Sequence, residues 1–290
     1  MCSSDLNKPY NVNFFCHTQP EPNRAQDALW RTALAPYYDE LGIDISTIKA
    51  GPGRLPFDEA AANVLAHFKP PVVSFHFGLP PELLLARVRS WGAKIISSAT
   101  TVAEARWLEA HGVDAIIAQG LEAGGHRGLF LTNDLSTQVG TIALLPQIVK
   151  EVTVPVIAAG GIADAAGINA AFKLGAAGVQ IGTAYMLCDE ATTSLMHRAA
   201  LQSHQAEHTA LTNLFTGRPA RGIMNRLMRE LGPINAMAPV FPLATAAISP
   251  LRAKAELSGS GEFSPLWSGQ NTSGCKAISA ALLTQQLMGR

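Results

Sequence analysis

An excess of charge of either sign is absent: Lys plus Arg and Asp plus Glu number 22 each, for a formal net charge of zero. That balance removes the electrostatic ground for a nucleic-acid or anionic-membrane partner. Charged residues are scarce altogether, at 15%, which predicts a large interior or a self-association surface and so a homo-oligomer. The four cysteines, Cys2, Cys16, Cys188 and Cys275, make no CxxC pair and no close-spaced framework. With no signal-peptide pattern ahead of them, reduced thiols in a cytoplasm are the expectation. Long apolar runs are missing too, since stretches such as 115–118 and 154–159 fall far short of a membrane span. Two nucleotide signatures are also absent. There is no GxGxxG of the dinucleotide-binding type and no GxxxxGK[ST] phosphate loop.

Hydrophobic residues make up 48% of the 290-residue chain, ample for one large α/β domain. Short apolar runs at 12–15, 72–77, 95–98, 115–119, 156–159 and 179–183 read as strands. They do not alternate, as expected of parallel strands covered on both faces. Amphipathic segments at 23–41, 57–68, 82–91, 103–111, 137–151, 164–174 and 191–205 read as helices between and after them. Thr101 is placed to cap one helix, with Glu104 as its capping-box partner, and Asp164 to open another. Repeated β-then-α order implies a parallel sheet with right-handed crossovers. A closed barrel of this kind needs eight strands. The expected fold is therefore α/β, a TIM-type (β/α) barrel lacking about two N-terminal strands; a doubly wound open sheet is the competitor. Residues 226–290 contain Pro-rich (238–243) and Gly/Ser-rich (258–261) pieces. They are expected to form a helical and loop extension packed on a barrel of residues 7–225.

Three glycine clusters follow predicted strands. Gly120, Gly124, Gly125 and Gly128 surround His126; Gly160 and Gly161 follow the fifth strand; Gln180, Ile181, Gly182 and Thr183 end the sixth. Such turns let backbone N–H groups approach a ligand, and a following helix N-terminus favours phosphate. The loops after the last two strands of a barrel commonly bind phosphate, which selects Gly160, Gly161, Gly182 and Thr183. His126, in a loop at the catalytic rim, titrates near neutrality and is the leading catalytic candidate. His76 sits at another strand end, as a pocket residue or as a hydrogen-bonded core histidine. Gln119 and Gln180 end strands and can meet an uncharged heterocycle through their amides, or bond neighbouring backbone. The HxxEH match at 204–208 has no evident third ligand, and no metal site is assigned there. Arg218 and its neighbours are either solvated or return a cation to the site mouth.

The segments 119–128, 155–165 and 178–186 closely resemble the core motifs of the nitronate monooxygenases, formerly called 2-nitropropane dioxygenases, which are FMN-containing (β/α) barrels. The stretches 7–15, 72–80, 95–105, 212–230 and 263–270 also resemble that family, so the likeness runs from Asn7 to about Gln270. It implies that Asn13, Gln119, Gly124, Gly161, Gln180, Gly182 and Thr183 contact FMN, with Gly160 and Ile181 beside them in the same loops. It implies that His126 acts beside the flavin on an alkyl nitronate such as propionate 3-nitronate. Oxygen is then the second substrate, and a carbonyl compound and nitrite the products.

Family members begin with a strand carrying a proline–methionine pair, a helix and a Gly-rich second strand. Those parts have no counterpart here, and residues 1–6 resemble nothing in the family. The expectation is a gene fragment whose first six residues have an unrelated origin. A flavin-dependent enoyl-ACP or quinone reductase is the nearest rival. The former typically has Glu-Ser before Gly-Gly-His, where this chain has Glu122 and Ala123. An inactive flavin-binding barrel is the third reading.

Overall fold

A computed structural model describes residues 8–49, 51 and 53–289. Residues 1–6, expected to be unrelated to the rest, lie outside the described residues. The strands are β1 (Asn11–Phe15), β2 (Val72–His76), β3 (Lys94–Ala99), β4 (Ala115–Gln119), β5 (Gly125–His126), β6 (Val156–Ala159), β7 (Gly178–Gln180), β8 (Thr209–Thr212) and β9 (Ala220–Ile223). The helices are α1 (Arg24–Leu41), α2 (Glu59–Phe68), α3 (Glu82–Arg89), α4 (Val102–Ala110), α5 (Thr141–Glu151), α6 (Ala165–Lys173), α7 (Leu195–Leu201), α8 (Arg226–Leu231), α9 (Thr245–Leu257) and α10 (Ala280–Leu287).

Six strands form one parallel sheet in the order β1-β2-β3-β4-β6-β7. Spatial order follows chain order throughout, whereas a doubly wound sheet reverses at a switch point. The sheet is therefore wound one way, as in a TIM-type barrel. Among the described residues β1 pairs only with β2, and β7 only with β6. The curled sheet stays open between those two strands.

The strand residues that face the helices are spaced by two, as Val73 and Phe75, Ile116 and Ala118, and Val156 and Ala158 show. Phe75, Ile95, Ile116, Val156 and Ala158 from the strands join Leu85, Leu108, Leu144 and Leu145 from the helices in one buried cluster. A second cluster joins Trp30, Leu34 and Tyr38 of α1 to Leu227, Ala247, Ile248 and Leu251 of α8 and α9. Residues 226–290 thus pack against α1 and, through Leu283 and Leu287 of α10, against Ile168 of α6.

Asn23, Asp58, Thr101 and Asp164 each accept a hydrogen bond from the amide three residues on. Such caps contribute about 1 kcal/mol apiece. The expected capping box at Thr101 does not close. The Glu104 side chain instead accepts from the Thr100 amide and hydroxyl at 2.7 and 2.8 Å, and from the Phe130 amide at 2.6 Å. Glu104 is fully buried, and its carboxylate must satisfy several donors there. The run at 72–77 stops at His76 because Phe77 turns left-handed, with φ 71°. The run at 179–183 stops at Gln180, and Thr183–Leu187 coils into a 3₁₀ turn. Of the helix expected at 191–205, only α7 forms, followed by a second 3₁₀ turn at His204–Glu207.

The sequence reading has no counterpart for the small antiparallel sheet β5-β9-β8. It pairs Gly125 with Arg221 and His126 with Ala220. The glycine–histidine loop is thereby pinned to a hairpin about a hundred residues further along the chain. Among the described residues, no helix is long and apolar enough to cross a membrane.

Candidate active site

The carboxyl ends of the parallel strands open into a cavity of about 480 Å³, within the usual range for small-molecule sites. Asn13 and Phe15 come from β1, Ser74 and His76 from β2, Ser98 from β3 and Gln119 from β4. Gly124, Gly125 and His126 form one wall; Gly160, Gly161, Gln180, Gly182 and Thr183 form another. Of the residues expected to act in catalysis or contact the cofactor, all but Ile181 line this one space, whereas Gly120, Gly128 and Arg218 do not. The Ile181 side chain packs away from it, against Ile168, Ala184 and Leu283, so only its backbone is left to face a ligand.

Backbone amides give the second wall its character. The N–H groups of Gly161, Ile181, Gly182 and Thr183 find no acceptor among the described residues. Ile181 and Thr183 are half-buried and Gly161 and Gly182 exposed, so these donors are free to meet solvent or a bound anion. Gly160 and Gly161 hold φ at 118° and 72°, a region that favours glycine. Gly182 is different. Its φ is −110°, and a Cβ added there would meet no protein atom within 4 Å. What its missing side chain leaves open is the cavity itself.

His126 is held from several sides. Its Nε2 lies 2.9 Å from the Thr216 hydroxyl. Its carbonyl oxygen accepts from Gln119 Nε2 at 2.9 Å and meets His76 Nε2 at 3.1 Å. Phe15, Phe77, Phe241 and Trp267 surround the ring with centroids 5.4–5.9 Å away. Burial, reinforced by the neighbouring His76 and His17 and by the positive charge of Arg218 and Arg54, lowers its pKa from 6.5 to about 3. The imidazole is therefore neutral near pH 7. His76 combines both roles considered for it: it lines the cavity, bonds Ser98 at 3.1 Å, and is lowered by burial to about 4.

Gln119 directs its amide to the His126–Gly128 backbone, with Oε1 accepting from the Gly128 amide at 2.7 Å. Asn13 accepts from Ser74, which in turn accepts from Asn11, in a short polar ladder along the floor. Arg127 is fully buried. Its three nitrogens donate to Gln138 Oε1, the Gly120 carbonyl and the Gln119 carbonyl at 2.6–2.9 Å. It fixes the start of the histidine loop. Arg218 stacks 3.8 Å from the Phe77 ring centroid and donates to the Leu129 carbonyl, which brings its charge close to His126.

Among the lining residues not singled out from the sequence are Trp267, Gly269 and Asn271. They belong to a strand-poor segment that docks through Gly269 N–H to the Thr183 hydroxyl at 3.0 Å and Asn271 to the Gly161 carbonyl at 2.9 Å. A Cβ on Gly124 would lie 2.5 Å from Gly269 nitrogen, so Gly124 also makes room for that segment. Asn11 was detectable, since Asn11, Asn13 and Phe15 share one face of β1 by their spacing of two. His204 pairs with Glu207 at 3.0 Å on the exterior.

Comparison with known proteins follows the same lines. The family model described as nitronate monooxygenase matches residues 4–289. A nitronate monooxygenase of Pseudomonas aeruginosa is 37% identical over 284 residues, which is 97% of this chain and 81% of that protein. One from Paraburkholderia phytofirmans is 39% identical over 289 residues, covering 97% of this chain and 77% of the relative. Among solved structures, the nitroalkane oxidase of Streptomyces ansochromogenes superposes with a TM-score of 0.87 at 36% identity, covering 98% of this chain and 80% of that one. FabK from Thermotoga maritima reaches 0.68 at 25% identity, over 99% and 76%. The chain belongs to the nitronate monooxygenase family of oxidoreductases.

Proposed function

We propose that this chain oxidises alkyl nitronates, such as propionate 3-nitronate, with oxygen to a carbonyl product and nitrite, using FMN. The observation that carries the reading is the convergence of the unpaired amides of Gly161, Gly182 and Thr183 with His126 on one cavity at the strand ends. The residues present fit the cofactor. Those amides suit one terminal phosphate, and Gly182 leaves space for it. Asn13, Gln119 and Gln180 would offer polar groups to an uncharged ring, and Gly124, Gly160 and Ile181 would let backbone approach. A single phosphate cradle without a dinucleotide fingerprint favours FMN over FAD.

Flavin bound there supplies the electron acceptor for nitronate oxidation. The protein's part is orientation and charge. Arg218 and Arg54 lend positive potential to the region where an anionic nitronate would sit. His126 is neutral, so it meets the substrate through a hydrogen bond or a proton transfer rather than as a cation. Thr216 occupies Nε2, leaving Nδ1 for the substrate. We also propose that residues 7–225 form the flavin-binding unit and residues 226–290 an extension, supported by the packing of α8, α9 and α10 on the outer helices.

The visible spectrum of the purified protein, followed by nitronate addition without oxygen, tests this reading. Flavin absorbance that bleaches with nitronate supports it, and FMN should be the species released by heat. NADH oxidation with an enoyl thioester or quinone, and no reaction with nitronate, would replace it with the reductase reading.

A further inference from the structure

Burial keeps both His76 and His126 neutral near pH 7. A neutral imidazole has one N–H and one bare nitrogen, and its neighbours decide which is which. For His76 the choice is forced. Its Nε2 meets the His126 carbonyl oxygen at 3.1 Å, and a carbonyl only accepts, so Nε2 carries the proton. Its Nδ1, 3.1 Å from the Ser98 hydroxyl, is then the acceptor.

His126 meets a hydroxyl through the other nitrogen, with Nε2 2.9 Å from Thr216 Oγ1. A threonine hydroxyl has one proton, and the second acceptor in its reach, the Arg218 carbonyl, is 3.3 Å away. That exceeds the range of about 2.5–3.0 Å in which O–H···O bonds form. The proton therefore goes to Nε2, while a lone pair of Thr216 Oγ1 faces the Arg218 N–H at 3.4 Å. Nδ1 has no partner among the described residues and is not sealed from solvent, and His126 lines the cavity.

Thr216 is firmly placed for this role. It lies in the turn between β8 and β9, and β9 is the strand that pairs with His126. The next residue, Gly217, donates to the Asn213 carbonyl at 2.8 Å, and a Cβ there would lie 2.1 Å from the Pro239 oxygen. Backbone packed that closely has little room to move.

We propose that Thr216 is a positioning residue: its hydroxyl donates to His126 Nε2 and so holds the ring as the Nδ1–H tautomer, which offers an N–H donor to an anionic substrate. The use made of that donor rests on the nitronate reading of the site; the tautomer does not. A nitronate carries its charge on two oxygens and arrives without the proton a base would remove, so what it needs from the protein is a donor. A neutral ring supplies one only at the nitrogen that Thr216 leaves free.

Nitrogen NMR of the full chain, with FMN added and its histidines isotope-labelled, tells a protonated ring nitrogen from a bare one. Loss of signal in His126→Asn and His76→Gln identifies the two rings. At neutral pH the wild type and Thr216→Ser should show His126 protonated at Nδ1 and His76 at Nε2. Thr216→Val, which keeps the volume and removes the hydroxyl, should move the His126 proton to Nε2 wholly or in part and leave His76 as it was. Affinity for propionate, a planar two-oxygen anion like the nitronate, should fall about tenfold in Thr216→Val, the scale of one hydrogen bond to a charged group, and return in Thr216→Ser. KM for ethyl nitronate should rise by the same factor, with kcat changing less. An Nε2–H His126 in the wild type overturns the proposal. So does a Thr216→Val that melts earlier but keeps the wild-type tautomer and propionate affinity, as a merely structural threonine would. Should Thr216→Val fail to fold, the wild-type spectrum decides. A wild type inert to every nitronate refutes the activity instead, and the spectra and propionate titrations still decide what Thr216 does.

Discussion

Gln119 grips the loop that carries His126: its Nε2 donates to the His126 carbonyl at 2.9 Å while its Oε1 accepts from the Gly128 amide at 2.7 Å. Replacing Gln119 with Leu keeps the volume but leaves the Gly128 amide buried without an acceptor. That loss costs about 1–3 kcal/mol. Urea unfolding of Gln119→Leu should show a destabilisation in that range, and an unchanged midpoint would mean that the loop is held by Arg127 and β9 alone.

His126 itself should matter for turnover and little for cofactor content. His126→Asn is expected to lower nitronate turnover by about a hundredfold or more, the usual scale for a proton-handling group. Flavin content should hold, because the proposed phosphate contacts lie on the other wall. Turnover that depends on the neutral imidazole is present above a pKa of about 3 and lost as pH falls through it. The His126 limb should therefore be absent from a kcat/KM profile between pH 5 and 8. An acidic limb near 6.5 that disappears in His126→Asn would show that bound substrate restores the ordinary value.

The same two lowered histidines make stability depend on pH. His126 and His76 sit at about 3 and 4 in the folded protein, against 6.5 ordinarily. As pH falls below 6.5, the unfolded chain takes up protons that the folded one refuses, so stability drops between about pH 6.5 and 4. Urea midpoints at pH 7 and pH 5 should differ in that direction. His76→Gln, which cannot titrate, should shrink the difference, and an equal fall in both proteins would place its source elsewhere.

Gly182 offers a cleaner probe of the cofactor wall than Gly161. A valine at Gly161 would be strained at φ 72° whatever the ligand, so loss of flavin there is ambiguous. At Gly182 the backbone accepts any side chain, and no protein atom lies within 4 Å of the added Cβ. Gly182→Val should keep the wild-type melting temperature of the flavin-free protein and lower the flavin-to-protein ratio measured by absorbance. Full retention would remove Gly182 from the binding wall.

Much of this architecture is legible in the sequence because its signals are local. The strand runs around Phe75, Ile95 and Ile116 stand out because one face of each packs against helices and the other turns to the interior of the curled sheet. The glycine loops announce the site because each lies directly after such a run. What is not legible depends on distance. β5 has two residues, too few for any period, and exists only because β9 returns to pair with it. Trp267 and Asn271 reach the cavity from a segment with no helix or strand of its own, held by hydrogen bonds to Glu122, Gly161, Thr183 and Arg221. Arg127 reads as one more loop residue until its three carbonyl and amide acceptors are seen together.

The opening between β1 and β7 decides how tightly a flavin is held. In a closed barrel every parallel strand has two neighbours, and inward side chains from alternate strands fill the centre in layers. Here Asn11 and Asn13 on β1 and Gln180 on β7 are exposed, although Asn13 and Gln180 are among the proposed ring contacts. Unpaired parallel edges also leave N–H and C=O groups available to other chains. The phosphate wall lies at β6 and β7, where each loop is braced by α6 or by the 267–271 segment. The ring end is the weaker half. Residues 1–290 should therefore retain FMN substoichiometrically after dialysis. A version extended at its amino end by a family-like strand–helix–strand segment should approach one flavin per chain and resist aggregation. Stoichiometric FMN with full nitronate turnover in residues 1–290 would show that the open edge costs the site nothing, and that the phosphate wall and the His126 loop suffice to hold the ring.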